Sequence, residues 1–252
     1  MIDALVLAGS LNEGALSRCS AVRYEALIPI GKKSMVEHVV DALLNSKRIN
    51  RIVLVGPEHE LAGKFPGQKV HIIKPKEDLV DNVVCGLKLL PGSRQVLVVT
   101  SDIPLLNPTA IDNFLDQCTC CDADLYYPIV PREVVERRFS SSKRTYVSLK
   151  EGFFTGGNVF LLNPAVVWRC LPKGQEIVNA RKSPLKLCRL VGFMFLIRYL
   201  MRSVTLEKAQ KKVSRLLGIR GQVVISMDPE LGIDVDKPSD LDLVSKKLNI
   251  AK

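Results

Sequence analysis

The stretch MIDALVLAGSLNEGALSRCSAVRYEALIPIGKKSMVEHVVDALL, residues 1–44, contains a strand, a loop and a helix in that order. Residues 3–8 form a short apolar run, typical of a strand that is buried on both faces of a sheet. The following Gly9 and Ser10 are small, so backbone N–H groups there can approach phosphate oxygens. Over 35–44 the apolar residues fall on one face of a helix. The stretch therefore predicts the first unit of an α/β fold.

The alternation of strand and helix continues along the chain. Further apolar runs of the same kind cover 51–56, 70–74 and 95–100, and a helical pattern covers 79–87. Such alternation predicts parallel strands joined by right-handed helical crossovers. We therefore expect a doubly wound α/β fold with a mostly parallel sheet.

The order loosens after Asp102. Later strands are expected over 124–130, 153–164 and 222–226, and later helices between Thr205 and Gly218 and from Pro238 onward. Thr205 is a favourable N-cap and Gly218 a favourable stop for the first of these helices. We predict a single domain over 1–252, in which 124–220 forms an insertion with a helical segment.

Composition narrows the classes of ligand. The 252 residues carry a net charge of +10, which favours polyanions, but only 6% of them are aromatic. Because binders of single-stranded nucleic acid combine basic grooves with aromatic platforms, we expect a small phosphate-bearing molecule and no nucleic acid.

The odd number of cysteines, seven, suits reduced thiols, and no apolar run is long enough to span a membrane. We expect a cytoplasmic protein without a signal peptide.

Residues that directly follow strands are the first candidates for a site, because ligands of open α/β sheets gather at the carboxyl ends of the strands. In VLVVTSDIPLL, residues 96–106, Asp102 ends a buried strand and is followed by a turn at Pro104. A carboxylate there can hold Mg²⁺ against nucleotide phosphates. The alternative, an Asp that only caps the turn, is equally compatible with the spacing.

Four stretches together resemble the nucleotidyltransferases with a glycosyltransferase-A-like fold, in the branch similar to molybdenum cofactor guanylyltransferase. They are VLAGS at 6–10, ALIPIGKKSMVEHVVDAL at 26–43, SDIPLL at 101–106 and GIDVDKPSDLDLV at 232–244. The second and fourth are long and stand in the family's order. The resemblance covers 1 to about 110 and 225–248 well, and the middle of the chain only loosely.

The resemblance implies Mg²⁺-dependent transfer of a nucleotidyl group from an NTP to a small phosphorylated or hydroxylated acceptor, with release of pyrophosphate. The implied nucleotide-binding residues are Leu7, Ala8, Gly9, Ser10, Arg18 and Lys32. By the same resemblance, Lys33 would take the place of the family's lysine in Gly-Lys-Pro and act in catalysis. Asp102 would act in catalysis as a metal ligand, and Asp234 and Asp236 would complete the metal site.

Two acidic residues depart from the family pattern. Glu25 stands where the family has a lysine, and Gly14, next to Glu13, stands where the loop usually has an arginine. A carboxylate cannot replace a cation that holds phosphate, so either Arg23 or a lysine at 32 or 33 compensates, or the chemistry has changed. This leaves two alternatives: a catalytically silent nucleotide-binding module with the same fold, and, less favoured, a glycosyltransferase.

The acceptor side is expected in the middle of the chain. In FTGGNVFLLNP the residues Thr155, Gly156, Gly157 and Asn158 precede a strand, and related sugar-phosphate nucleotidyltransferases carry a similar turn in the acceptor pocket. A β-bulge or plain turn is an equally good interpretation of the residue types. Arg144 and Lys182 are candidates for binding an acceptor phosphate, although single surface cations are usually only solvated.

Two further helical features remain. The apolar segment near 185–202 either packs over the sheet or forms a subunit interface, as in a homodimer; peripheral membrane association is the weaker alternative. Asn82 lies on the helix over 79–87, where contact with a nucleotide base is one interpretation and a solvent-facing position is the favoured one.

Overall fold

The computed structural model of the chain describes residues 1–119, 122–140, 142, 144–180, 201 and 203–248. Its strands are β1 (Ile2–Leu7), β2 (Pro29–Ile30), β3 (Lys33–Ser34), β4 (Ile49–Val55), β5 (Val70–Ile73), β6 (Val96–Thr100), β7 (Leu125–Pro131), β8 (Val147–Leu149), β9 (Gly152–Gly156), β10 (Val159–Leu162) and β11 (Gly221–Ile225). Its helices are α1 (Met35–Asn45), α2 (Glu58–Leu61), α3 (Leu79–Lys88), α4 (Pro108–Gln117), α5 (Arg132–Arg138), α6 (Pro164–Ala180), α7 (Leu206–Leu217) and α8 (Pro238–Lys247).

Nine strands form one central sheet in the order β5-β4-β1-β6-β10-β7-β9-β8, and β11 also pairs with β7. The pairs β5·β4, β4·β1, β1·β6 and β7·β11 are parallel. Within this sheet β9 and β10 run against the other strands, since both pair antiparallel with β7. The prediction of a mostly parallel sheet is confirmed.

Helices cover both faces of the sheet. Successive residues of a strand point to opposite faces, and in β1 the side chain of Val6 packs with the cluster that contains α1 and α4, whereas Leu5 packs with the cluster that contains α3 and α6. The doubly wound arrangement predicted from the alternating pattern is therefore present. This arrangement leaves the carboxyl ends of β1 and β6, two neighbouring parallel strands, open at the same end of the sheet.

Helix α7 has the predicted ends and covers an edge strand. The Thr205 hydroxyl accepts a hydrogen bond from the N–H of Lys208, and Gly218 closes the helix with a φ of +67°. Along β11, the N–H of Gly221 donates to Ser214 Oγ (3.1 Å) and the N–H of Val223 donates to Gln210 Oε1 (2.9 Å). Side chains of α7 thus serve as hydrogen-bond partners for β11.

Much of the region predicted as an insertion contributes to the central sheet. Strand β10 lies between β6 and β7, so residues beyond 124 complete the middle of the sheet. The predicted limits at 124 and 220 stay a prediction. Most of the apolar segment near 185–202 lies outside the described residues. Among the helices that the structure describes, none combines the length and apolar character needed to cross a membrane.

Candidate functional site

A cleft of about 720 Å³ opens at the carboxyl ends of β1 and β6. Its walls come from the loops after these strands, from the start of α3 and from the segment before α8. The lining residues are Leu7, Gly9, Ser10, Glu25, Glu77, Asp78, Leu79, Asn82, Thr100, Ser101, Asp102, Asn158, Asp234 and Asp236. The topology places the cleft where ligands of open α/β sheets bind.

Three carboxylates meet at one side of this cleft. Asp102, Asp234 and Asp236 each offer an oxygen, and these oxygens lie within 4.8 Å of one another. The N–H of Val235 donates to the carbonyl oxygen of Asp102 at 2.8 Å, which holds the two contributing segments side by side. Carboxylate oxygens at such separations are suited to a shared Mg²⁺. The structure therefore brings the three predicted metal ligands together; their role stays a prediction.

The pKa of Asp102 is raised. Burial of the carboxyl group is the main cause, and the nearby charge of Asp236 adds to it. A hydrogen bond from the Thr100 hydroxyl and the charge of Arg144 act in the opposite direction without cancelling the effect. A divalent cation placed among these carboxylates would offset the cost of ionising them.

Glu25 lines the same cleft as these carboxylates. It begins a short turn of 3₁₀ helix, and its N–H donates to the carbonyl of Ser10 at 3.1 Å. Burial raises its pKa, and the charges of Asp102 and Asp236 raise it further. Glu25 therefore lies close enough to Asp102 and Asp236 for their charges to act on it.

The cleft is acidic as a whole. Among the residues that the structure describes, its lining includes six carboxylates and neither a lysine nor an arginine. The six are Glu25, Glu77, Asp78, Asp102, Asp234 and Asp236. A polyphosphate entering this cleft would meet unbalanced negative charge unless cations enter with it.

The basic residues predicted for nucleotide binding, and Lys33, which was predicted to act in catalysis, are not in the cleft lining. Arg18 and Lys32 are exposed and do not line the cleft, and Lys33 forms an ion pair with Asp41 of α1. Ala8 is buried, and its N–H donates to the carbonyl of Val55 at 2.8 Å. Of the predicted nucleotide loop, the structure therefore places Leu7, Gly9 and Ser10 at the cleft; the predicted roles of the others stay predictions.

A smaller cavity of about 210 Å³ adjoins the three carboxylates. Its lining residues are Arg144, Thr145, Thr155, Gly156, Asn158, Asp234, Asp236, Lys237 and Asp240. Asn158, Asp234 and Asp236 line both the cleft and this cavity. Four residues predicted for acceptor binding, at 144, 155, 156 and 158, thus lie beside the predicted metal ligands.

The remaining two predicted acceptor residues are not seen at this cavity. Gly157 is buried between β9 and β10, where its N–H donates to the carbonyl of Pro128 at 2.9 Å and keeps the interrupted strand attached to β7. Lys182 lies outside the described residues. The break at 157–158 has the character of a strand irregularity, and it directs Asn158 toward the cleft.

Arg144 reaches the acidic segment before α8. Its side chain is 9% exposed; Nη1 donates to the carbonyl of Asp234 and Nη2 to the carbonyl of Gly232, both at 3.0 Å. The guanidinium also forms an ion pair with the Asp234 carboxylate. In this arrangement the donors of Arg144 are engaged by residues 232–234.

The sequence did not predict that Glu77, Asp78 and Leu79, at the start of α3, form a wall of the cleft. Asn82 is buried rather than facing solvent: its side-chain oxygen accepts from the N–H of Lys76 at 2.6 Å, and its Nδ2 donates to the Lys76 carbonyl at 3.1 Å. The expectation of an exposed Asn82 is therefore wrong. Asp78 caps α3 through the N–H of Val80 and accepts from Gln175 of α6 at 2.9 Å. The N-cap position of Asp78 was a signal that could have marked this wall.

Residues 4–188 match the family model described as a MobA-like NTP transferase domain. A structure described as a hypothetical transferase from Thermus thermophilus has 37% sequence identity and a TM-score of 0.84, over 95% of this chain and 99% of that chain.

Two curated relatives match over shorter stretches. A 2-C-methyl-D-erythritol 4-phosphate cytidylyltransferase from Klebsiella pneumoniae subsp. pneumoniae is 30% identical over 95 residues, 36% of this chain and 40% of the relative. The bifunctional protein GlmU from Enterococcus faecalis is 28% identical over 109 residues, 42% of this chain and 24% of the relative. The chain thus spans less than half the length of either relative.

Proposed function

Since the chain belongs to the MobA-like NTP transferase family, we propose that it transfers a nucleotidyl group from an NTP to a small phosphorylated or hydroxylated acceptor. An oxygen of the acceptor forms a bond to the α-phosphorus, the bond from that phosphorus to the oxygen that bridges it to the β-phosphorus breaks, and pyrophosphate leaves. Where the acceptor is a hydroxyl, its proton passes to solvent. In such transfers the protein mainly positions the reactants and balances charge.

One observation carries this proposal: the three carboxylates of Asp102, Asp234 and Asp236 lie where the large cleft and the small cavity meet. The 720 Å³ cleft has room for a nucleotide, and the 210 Å³ cavity has room for a small acceptor. Asn158, which lines both, can orient a hydroxyl through its amide. The reacting atoms would then meet beside the carboxylates.

Mg²⁺ fits the donor set of this site. Asp102, Asp234 and Asp236 supply hard oxygen ligands, the type that Mg²⁺ prefers, from two segments linked by the bond between Val235 and Asp102. When bound there, Mg²⁺ would stabilise negative charge on the phosphates. The protein's own part is to keep the three carboxylates converged.

Glu25 has a role in this proposal that differs from that of the family's lysine. Glu25 lines the same cleft as Asp102 and Asp236, and the described cleft lining contains no lysine or arginine to balance a triphosphate. Divalent cations would have to supply that charge, and Glu25 would help to hold them. The acidic substitution thus shifts charge balance from a side chain to bound cations.

The test is pyrophosphate release with each NTP, paired in turn with sugar phosphates, polyol phosphates and pterins. We expect turnover with one pairing in the presence of Mg²⁺, and its loss in Asp102→Ala. Asp81→Asn is a matched control, because Asp81 is exposed on α3 and does not line the cleft. Full activity of Asp102→Ala would contradict the metal role. Nucleotide binding by calorimetry without turnover in any pairing would instead favour the silent module.

A further inference from the structure

We propose that Arg144 is a positioning residue, whose guanidinium holds the segment 232–236 in the geometry that lets Asp234 and Asp236 act with Asp102. The inference rests on the proposed nucleotidyl transfer for its catalytic consequence, but the contacts that carry it are structural. Arg144 comes from the loop between α5 and β8, far along the chain from the segment that it contacts.

The contacts are directed at the segment rather than at the open cavity. The two terminal nitrogens of Arg144 donate to the carbonyls of Gly232 and Asp234, and the same side chain pairs with the Asp234 carboxylate. A guanidinium is a rigid planar fork that can satisfy several such acceptors at once, whereas a lysine ammonium cannot reproduce its geometry. With the side chain only 9% exposed, this contact is shielded from solvent.

The remaining anchors of the segment show what Arg144 adds. The N–H of Val235 donates to the Asp102 carbonyl, and the N–H of Asp236 donates to Asp240 Oδ2 at 3.3 Å. Both of these anchors act on backbone N–H groups. Arg144 holds carbonyl groups of the segment and also a carboxylate side chain, that of Asp234.

Repulsion among the three carboxylates is a second reason to assign this positioning role to Arg144. The oxygens of Asp102, Asp234 and Asp236 lie within 4.8 Å of one another, where like charges repel strongly in a partly buried site. Arg144 places a positive charge against this group. It therefore keeps the carboxylates assembled before any cation binds.

The experiment compares Arg144→Gln and Arg144→Lys with the unchanged protein. We expect Arg144→Gln to weaken Mn²⁺ binding, measured by electron paramagnetic resonance, by roughly 10- to 100-fold, the range for groups that orient metal ligands. Amide hydrogen exchange of 232–236 in metal-free protein should become faster, and Arg144→Lys should show a smaller change of both kinds. High Mg²⁺ should restore part of kcat, with little change in the KM of the acceptor.

Arg48→Gln is the matched control, because Arg48 pairs with Asp116 and directly precedes β4, at the end of the strands opposite the cleft. It should leave Mn²⁺ affinity and exchange unchanged. Tighter Mn²⁺ binding in Arg144→Gln would show that Arg144 competes with the cation, and a raised acceptor KM with unchanged Mn²⁺ affinity would make it an acceptor ligand; either result overturns the proposal. Exchange and Mn²⁺ affinity need no turnover, so failure of the proposed function is distinguishable.

Discussion

Val235 donates its backbone N–H to the carbonyl oxygen of Asp102 at 2.8 Å, although the two residues belong to distant parts of the chain. The bond joins the loop after β6 to the segment that leads into α8. Because Val235 stands between Asp234 and Asp236, the bond sets the positions of both carboxylates relative to Asp102.

Replacing Val235 by proline should therefore disturb the metal site. Proline has no N–H, so the bond to Asp102 is lost. We expect Mn²⁺ binding, measured by calorimetry, to weaken by roughly 10- to 100-fold. Val235→Ala keeps the N–H while removing part of a side chain that is 1% exposed, so it should cost about 1–3 kcal/mol of stability and leave Mn²⁺ affinity nearly unchanged. Equal Mn²⁺ affinities of the two variants would refute the role of the bond.

Glu25→Gln tests whether the acidic residue at the lysine position holds cations. The change removes one of the carboxylates that line the cleft with Asp102 and Asp236, so we expect the Mg²⁺ concentration for half-maximal activity to rise by roughly 10-fold. Glu13→Gln removes the same charge from an exposed position that does not line the cleft, and should have little effect. A lower Mg²⁺ requirement in Glu25→Gln would mean that Glu25 only repels the other carboxylates and the substrate phosphates, and does not hold cations.

Asp3 should affect stability without affecting turnover. Burial alone would raise its pKa, but hydrogen bonds from Arg51 (3.0 Å) and Ser93 (2.6 Å) outweigh burial and leave the pKa lowered. A lowered pKa stabilises the folded chain above the unfolded pKa of about 3.9, and the contribution is lost as the pH falls through the folded pKa. Asp3→Asn should thus lower the free energy of unfolding at pH 7 by about 1–3 kcal/mol.

Urea unfolding at several pH values measures this effect. The difference between Asp3→Asn and the unchanged protein should shrink as the pH approaches 3, while activity at pH 7 stays the same, because Asp3 lies at the opposite end of β1 from the cleft. A difference that is independent of pH would assign the effect to packing.

Gly156→Ala should disturb the wall of the small cavity, which Gly156 lines. A Cβ at this position would lie 1.9 Å from the hydroxyl oxygen of Tyr127, whose ring stacks on Phe160 with centroids 5.3 Å apart. Either the Tyr127 side chain or the backbone at 156 must therefore shift, which should lower the free energy of unfolding by roughly 1–3 kcal/mol. Because Gly156 lines the small cavity, the KM of the acceptor should also rise. Gly174→Ala is the control: a Cβ there meets no atom within 4 Å, and alanine should stabilise the helix by about 0.5–1 kcal/mol. Thermal unfolding and acceptor KM measure both variants.

The local pattern of apolar residues was sufficient to predict the fold and to place Asp102 at the carboxyl end of a buried strand. Short apolar runs mark strands that are buried on both faces, and the carboxyl end of such a strand is where a ligand can reach the sheet. The motif resemblance then supplied Asp234 and Asp236, which the structure brings next to Asp102.

Other parts of the site depend on contacts between distant segments. Helical periodicity gives the face of α3 on which Asn82 lies, but not that Lys76 folds back onto its side chain. In the same way, no spacing indicates that Arg144 reaches Asp234 or that Glu25 lines the same cleft as Asp236. These relationships arise from packing, which periodicity does not report.

The hydrogen bonds from Gly221 and Val223 to side chains of α7 have a consequence for self-association. A bare sheet edge is a template on which another copy can add a strand, and it is a common origin of aggregation. On β11 those two donors are already taken by Ser214 and Gln210. A second copy could add a strand next to β11 only after α7 had moved away from it. The chain thus protects this sheet edge with its own helix.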